Sequence, residues 1–141
     1  MEIATSLGAE LDARLASLYW LVGRESGRDL SRTAGSVLTT LDEGPRRITE
    51  LAAAEAVAQP TVTTLVGRLE RDGLVRRAPD PADARAVLVR LTDAGRERLA
   101  HRRAARAAVI DERLAALTDD DRALLQAALP ALNKMIEGHT A

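Results

Sequence analysis

Apolar residues recur along most of this chain at intervals of three and four, the period of a helix with one buried face. Leu7, Leu11, Leu15, Leu18 and Val22 mark the first such stripe, over residues 5–24, with Gly23 and Gly27 read as its end. A second begins after Ser31, a good N-cap. It turns Val37, Leu38 and Leu41 toward a core and stops at Gly44-Pro45. Thr49 is placed to cap a short third helix ending near Glu55, and a break follows at residues 56–58. A fourth helix opens on Gln59-Pro60-Thr61, where a proline in the first turn loses no hydrogen bond, and Asp72-Gly73 closes it after Arg71. Val62, Leu65, Val66 and Leu69 form its buried stripe. Gln59, Thr61, Thr63, Thr64, Arg68 and Arg71 fall mostly on its other faces. Two short helices joined by a tight turn predict a helix-turn-helix, and the short polar residues near the start of the second suit base edges.

The period then changes. "LVRRAP" (74–79) and "AVLVRL" (86–91) alternate as strands do, and "DPADA" between them reads as the turn of a hairpin. Leu88 against Val87 and Val89 leaves the inner face of the second strand open. A hairpin directly after a helix-turn-helix is a wing. Arg85 stands where it begins to return, and Asp83 either pairs with Arg85 or caps the turn. From the N-cap Thr92 a long helix can run for about 25 residues, roughly 37 Å. Thr118 caps a last helix with three aspartates at its positive dipole end. Leu124, Leu125, Ala128, Leu129, Leu132, Met135 and Ile136 give that helix a broad apolar face, and Pro130 is expected to kink it.

These elements predict a mainly α fold in a single domain over residues 1–141. A winged helix-turn-helix lobe occupies 30–91, flanked by helical regions at 1–27 and 92–141. The length of 141 residues suits one core, and no repeat or low-complexity linker divides it.

Composition narrows the function by exclusion. There is no cysteine, so disulfides, thiol redox switches and thiolate metal sites are ruled out. His101 and His139 have no ligand-like spacing, and neither metal nor cofactor is expected. One Trp, one Tyr and no Phe disfavour single-strand nucleic-acid binding, which needs stacking platforms. No glycine-rich phosphate loop or nucleophile elbow is present, and the five serines have no nearby histidine, so an enzyme is not expected. The chain carries no long apolar run and its start does not read as a signal peptide, which predicts a cytoplasmic protein without membrane contact. Net charge is −1, but residues 44–90 hold eight arginines against six acids. That bias matters only if the fold gathers the arginines on one face.

The ordered motifs Pro60-Thr61-Val62-Thr63, Arg68-Leu69-Glu70, Gly73-Leu74-Val75, Asp80-x-x-Asp83-x-Arg85 and Leu91-Thr92-x-x-Gly95 resemble the MarR family of bacterial transcriptional regulators. The match covers Ile48 to Leu99 motif by motif, and the two ends by helix layout alone. The resemblance implies a homodimer whose N- and C-terminal helices interdigitate. It implies a recognition helix in the major groove of double-stranded DNA and a wing arginine in the flanking minor groove. Many members are repressors released by small aromatic or anionic ligands, bound between the first, second and fifth helices and the DNA-binding lobe. On that basis Trp20, Leu38 and His101 are expected to touch a mostly apolar effector pocket. Three positions depart from the family's pattern: Ala58 where a capping Ser or Thr is usual, Ala56 where Gly is common, and Thr64 where a basic residue is common.

The expected DNA-binding set is Gln59, Thr61, Thr63, Thr64, Arg68, Arg76, Arg77, Asp83 and Arg85. Most have a structural alternative. Arg68 can pair with Glu70 or Asp72, and Arg76 or Arg77 can pair locally. The threonines can be plain exposed helix residues. His101 and the arginines at 102, 103 and 106 read as a solvated face, with a secondary contact to DNA or to a polar ligand as the alternative. The function expected is a homodimeric, sequence-specific repressor on a pseudo-palindromic operator, relieved by a small molecule. The competing reading is a winged-helix protein-interaction module that does not bind DNA, which Glu70, Asp72, Asp80 and Asp83 keep open.

Overall fold

The computed structural model describes residues 5–27 and 29–138; His139 lies outside them. Six helices and three short strands follow in the order α1 (Leu7–Glu25), α2 (Arg32–Asp42), β1 (Arg46–Arg47), α3 (Ile48–Glu55), α4 (Gln59–Arg71), β2 (Val75–Asp80), β3 (Asp83–Leu91), α5 (Asp93–Ala115) and α6 (Asp119–Glu137). Side-chain oxygens set four of the helix starts. Ser6, Ser31, Thr92 and Thr118 each accept a hydrogen bond from the backbone N–H three residues on. Thr49 does not play that part. α3 starts one residue before it, and Glu50 reaches back to accept from the Arg47 backbone N–H at 3.0 Å. Gly23 does not end α1 either. The helix continues to Glu25, since one interior glycine costs only about 1 kcal/mol.

One apolar core holds the winged lobe together. Val37, Leu38 and Leu41 from α2, Leu51 from α3, Val62, Val66 and Leu69 from α4, Val75 and Val89 from the sheet, and Leu99 from α5 are all buried in it. The sheet is antiparallel in the order β1-β3-β2. β1 has no apolar alternation, and it pairs Arg46 and Arg47 with Val89 and Leu88, some 40 residues on. The hairpin is longer than its sequence suggests. β3 begins at Asp83, Asp80 pairs with Asp83, and only Pro81 and Ala82 turn the chain. Val89 and Leu91 face the core, which settles the inner face of β3; Val87 shares that face but is exposed, further out along the wing.

The flanking helices are different. α6 runs through Pro130 without a break and buries no residue, leaving Leu124, Leu125, Leu129, Met135 and Ile136 exposed. On α1, Val22 is buried, whereas Leu7, Leu15 and Leu18 are exposed.

Candidate nucleic-acid interface

The α3–α4 pair presents α4 outward. Ala56 ends α3 in the left-handed conformation, at φ 53° and ψ 40°, and two residues later Ala58 starts α4 without a side-chain cap. Val62, Val66 and Leu69 anchor one side of α4 in the core. That anchoring leaves Gln59, Thr61, Thr63, Thr64 and Arg68 exposed on the opposite side. The Thr63 and Thr64 hydroxyls donate to the carbonyls of Gln59 and Pro60, both at 3.0 Å. With their protons so engaged, these two exposed hydroxyls keep acceptor capacity beside their methyl groups. That pairing matches the amino groups of adenine or cytosine and the methyl of thymine.

Glu70 takes Arg77, and Arg68 makes no ion pair among the described residues. The Arg77 backbone N–H donates to Glu70 at 3.1 Å, and its guanidinium lies 3.8 Å from the same carboxylate. The alternative pairing of Arg68 with Glu70 or Asp72 is therefore not formed. Arg76 is exposed and stands opposite Arg90 in the β2–β3 ladder.

At the wing, Asp83 caps rather than pairs. Its carboxylate accepts from the Arg85 backbone N–H at 3.0 Å. The Arg85 side chain is exposed and has no acidic partner among the described residues. The wing is tied to the lobe by a contact that sequence reading did not find. Asp80, only 9% exposed, accepts from Nε and Nη2 of Arg47 at 3.0 and 2.6 Å through one oxygen. Its other oxygen accepts from the Ala82 N–H at 2.9 Å. The turn amide first, and the Arg47 guanidinium second, hold the Asp80 carboxyl below the usual aspartate range. The residues are 33 positions apart, and no local pattern marks the pair.

A cavity of about 650 Å³ opens between α1, α2, the end of α3 and α5. Its walls include Tyr19, Arg32, Gly35, Ser36, Glu55, Leu99, Arg102, Arg103 and Arg106. The guanidinium carbons of Arg32 and Arg106 lie 4.6 and 4.7 Å from the centroid of the Tyr19 ring. Arg102 lies flat over Gly35, where a Cβ would come within 2.6 Å of its Nε. Ser36 donates to Glu55 at 2.7 Å across the α2–α3 boundary.

Trp20, Leu38 and His101 do not line this cavity. Leu38 is wholly buried in the core, while Trp20 is 70% exposed and His101 is exposed. The walls are rich in arginine rather than mostly apolar. Their sequence neighbours Tyr19 and Arg102 line it instead. Arginines on a helix look like a solvated face until the neighbouring helix is known, and here α2 turns Arg102, Arg103 and Arg106 into a cavity wall.

A model of the MarR family matches residues 30–87 of the chain. An HTH-type transcriptional regulator of Mycobacterium bovis is 35% identical over 89% of this chain and 95% of its own length. The HTH-type transcriptional repressor IacR of Pseudomonas putida is 30% identical over 84% of this chain and 74% of its own. Wild-type MarR of Escherichia coli in its apo form superposes with a TM-score of 0.74 at 26% identity, over 93% of this chain and 98% of that one.

Proposed function

This chain belongs to the MarR family of DNA-binding transcriptional regulators, and from that premise we propose that it is a homodimeric repressor released by a small aromatic anion. The observation that carries the DNA reading is the shared exposure of α4 and the wing: Thr61, Thr63, Thr64 and Arg68 on the helix, and an Arg85 side chain without an acidic partner among the described residues. On duplex DNA, α4 reads base edges in the major groove and Arg85 of the wing reaches the adjacent minor groove. Arg76 adds charge toward phosphate, and so does Arg77, whose 3.8 Å contact with Glu70 is half-exposed and easily exchanged. Asp83 acts through Arg85, by fixing the backbone of that residue. A second copy covers the exposed leucines of α1 and α6 and places two α4 helices about 34 Å apart, on half-sites one turn of DNA apart. Repression is the role named for the relative IacR.

The arginine-lined cavity supports the ligand part of this reading. Arg32, Arg102 and Arg106 supply donors for a carboxylate, and the planar guanidiniums that Arg32 and Arg106 already stack on Tyr19 offer flat faces to an aromatic ring.

Fluorescence anisotropy on duplex DNA from the gene's upstream region, run across a salt series, tests the DNA reading. Affinity is expected to fall steeply with salt, and Arg85→Ala is expected to weaken binding and flatten the slope. Recovery of no sequence by genome-wide selection would overturn it in favour of a protein-interaction module. For the cavity, calorimetry with benzoate is expected to show binding that Arg32→Ala abolishes.

A further inference from the structure

Among the described residues, Glu55 is the one acidic side chain in the wall of a cavity that also carries four arginines. It is also the last residue of α3 and the neighbour of Ala56, whose left-handed turn sets where α4 begins. Its carboxylate makes one described polar contact, the 2.7 Å hydrogen bond from Ser36 of α2. Arg103 is drawn off by Asp42 at 3.1 Å, and Arg32 and Arg106 sit over Tyr19. No arginine forms an ion pair with Glu55 among the described residues, so proximity within the cavity and the Ser36 hydroxyl are what hold it there.

We propose that Glu55 and Ser36 are the relay from this cavity to the recognition helix. An anion entering the cavity takes up the arginine donors and places a second negative charge beside Glu55. The two anions repel across the cavity, although Ser36 is exposed and Glu55 only half-buried, so proximity rather than burial sets the strength of the repulsion. Glu55 leaves Ser36, the last turn of α3 loses its tie to α2, and the turn at Ala56 relaxes. An L-residue in that conformation is held by its surroundings, so releasing one side of the turn favours another geometry and misaligns α4. The effector acts because it binds the released state better than the DNA-binding state, as any coupling between two sites requires.

This relay rests on the cavity being the effector site, and the experiment separates the two. Benzoate binding to the full-length protein is measured by calorimetry, and DNA affinity by anisotropy with and without saturating benzoate. The variants are Glu55→Gln and Ser36→Ala. In the wild type, benzoate is expected to weaken DNA binding about tenfold, within the usual range for coupled sites. Glu55→Gln keeps the acceptor for Ser36 and removes the repelled charge. It is expected to bind benzoate at least as tightly as wild type while its DNA affinity changes less than twofold. Ser36→Ala severs the tie from the start. Its DNA affinity without benzoate is expected to resemble that of the wild type with benzoate, and further addition is expected to do little. Both variants responding to benzoate as the wild type does would overturn the relay and leave the cavity reading standing. Failure of the wild type to bind benzoate, or binding without any change in DNA affinity, would overturn the relay; the first of these also removes the cavity reading.

Discussion

Two alanines at the α3–α4 turn show what a single residue contributes. Ala56 occupies the left-handed region at φ 53°, where an L-residue is disfavoured by about 1–2 kcal/mol. Glycine there relieves the clash but enlarges the unfolded ensemble, so Ala56→Gly is expected to stabilise the protein by about 0.5–1 kcal/mol. Ala58 is an N-cap without a side-chain acceptor, and Ala58→Ser is expected to add about 1 kcal/mol. Urea unfolding with unchanged m-values checks both, and a destabilised Ala56→Gly would show that the turn is not strained. These two residues stood out in sequence because they depart from a pattern. Gly95 did not reveal its reason so directly. A Cβ there would lie 2.1 Å from the Leu74 carbonyl oxygen, so the first turn of α5 packs directly on the start of the wing. Gly95→Ala is expected to cost about 1–3 kcal/mol through forced backbone movement, measured by the same unfolding experiment.

Among the elements, the wing shows where sequence reading succeeds and where it stops. Its two strands and the caps at Ser31, Thr92 and Thr118 are local signals, set by residues within a few positions of one another, and were legible, whereas the turn was read too wide, since only Pro81 and Ala82 lie between the strands. β1 was not, because two arginines carry no alternation and their partner strand lies far along the chain. The Arg47–Asp80 tie was hidden for the same reason, and it decides how firmly the wing is held. Folding lowers the Asp80 carboxyl pKa, so its contribution to stability is complete above the ordinary aspartate value of about 4 and is lost as pH falls through the lowered one. Asp80→Asn is therefore expected to lower stability at neutral pH and to flatten the acid limb of the stability profile. Wing position makes a separate demand. Arg85→Ala is expected to weaken DNA binding less in the Asp80→Asn background than in the wild type, because a loosened wing no longer presents Arg85. Equal losses in both backgrounds would mean that the tie stabilises the lobe without orienting the wing.

For the whole molecule, the flanking helices set the terms. α6 buries none of its side chains within one protomer, and Leu124 and Ile136 are each 71% exposed. An apolar stripe of that length is stable in water only when something covers it. The cover proposed is a second copy, since the exposed leucines of α1 belong to the same chain and a two-fold axis lets one surface serve both protomers. A dimer also answers the charge problem. A protomer of net charge −1 is a poor ligand for DNA, but two-fold symmetry doubles its outward arginines along one face of the duplex. Leu129→Glu tests this with little risk to the protomer, because Leu129 is already 54% exposed there. The variant is expected to keep its helical content, to sediment as a monomer, and to lose about 100-fold or more in affinity for a two-half-site operator, since the second half-site no longer binds as an intramolecular event. Affinity for a single half-site is expected to hold near its wild-type value. A variant that stays dimeric would move the interface away from α6, and a monomer that still binds the full operator tightly would show that each lobe reads DNA alone.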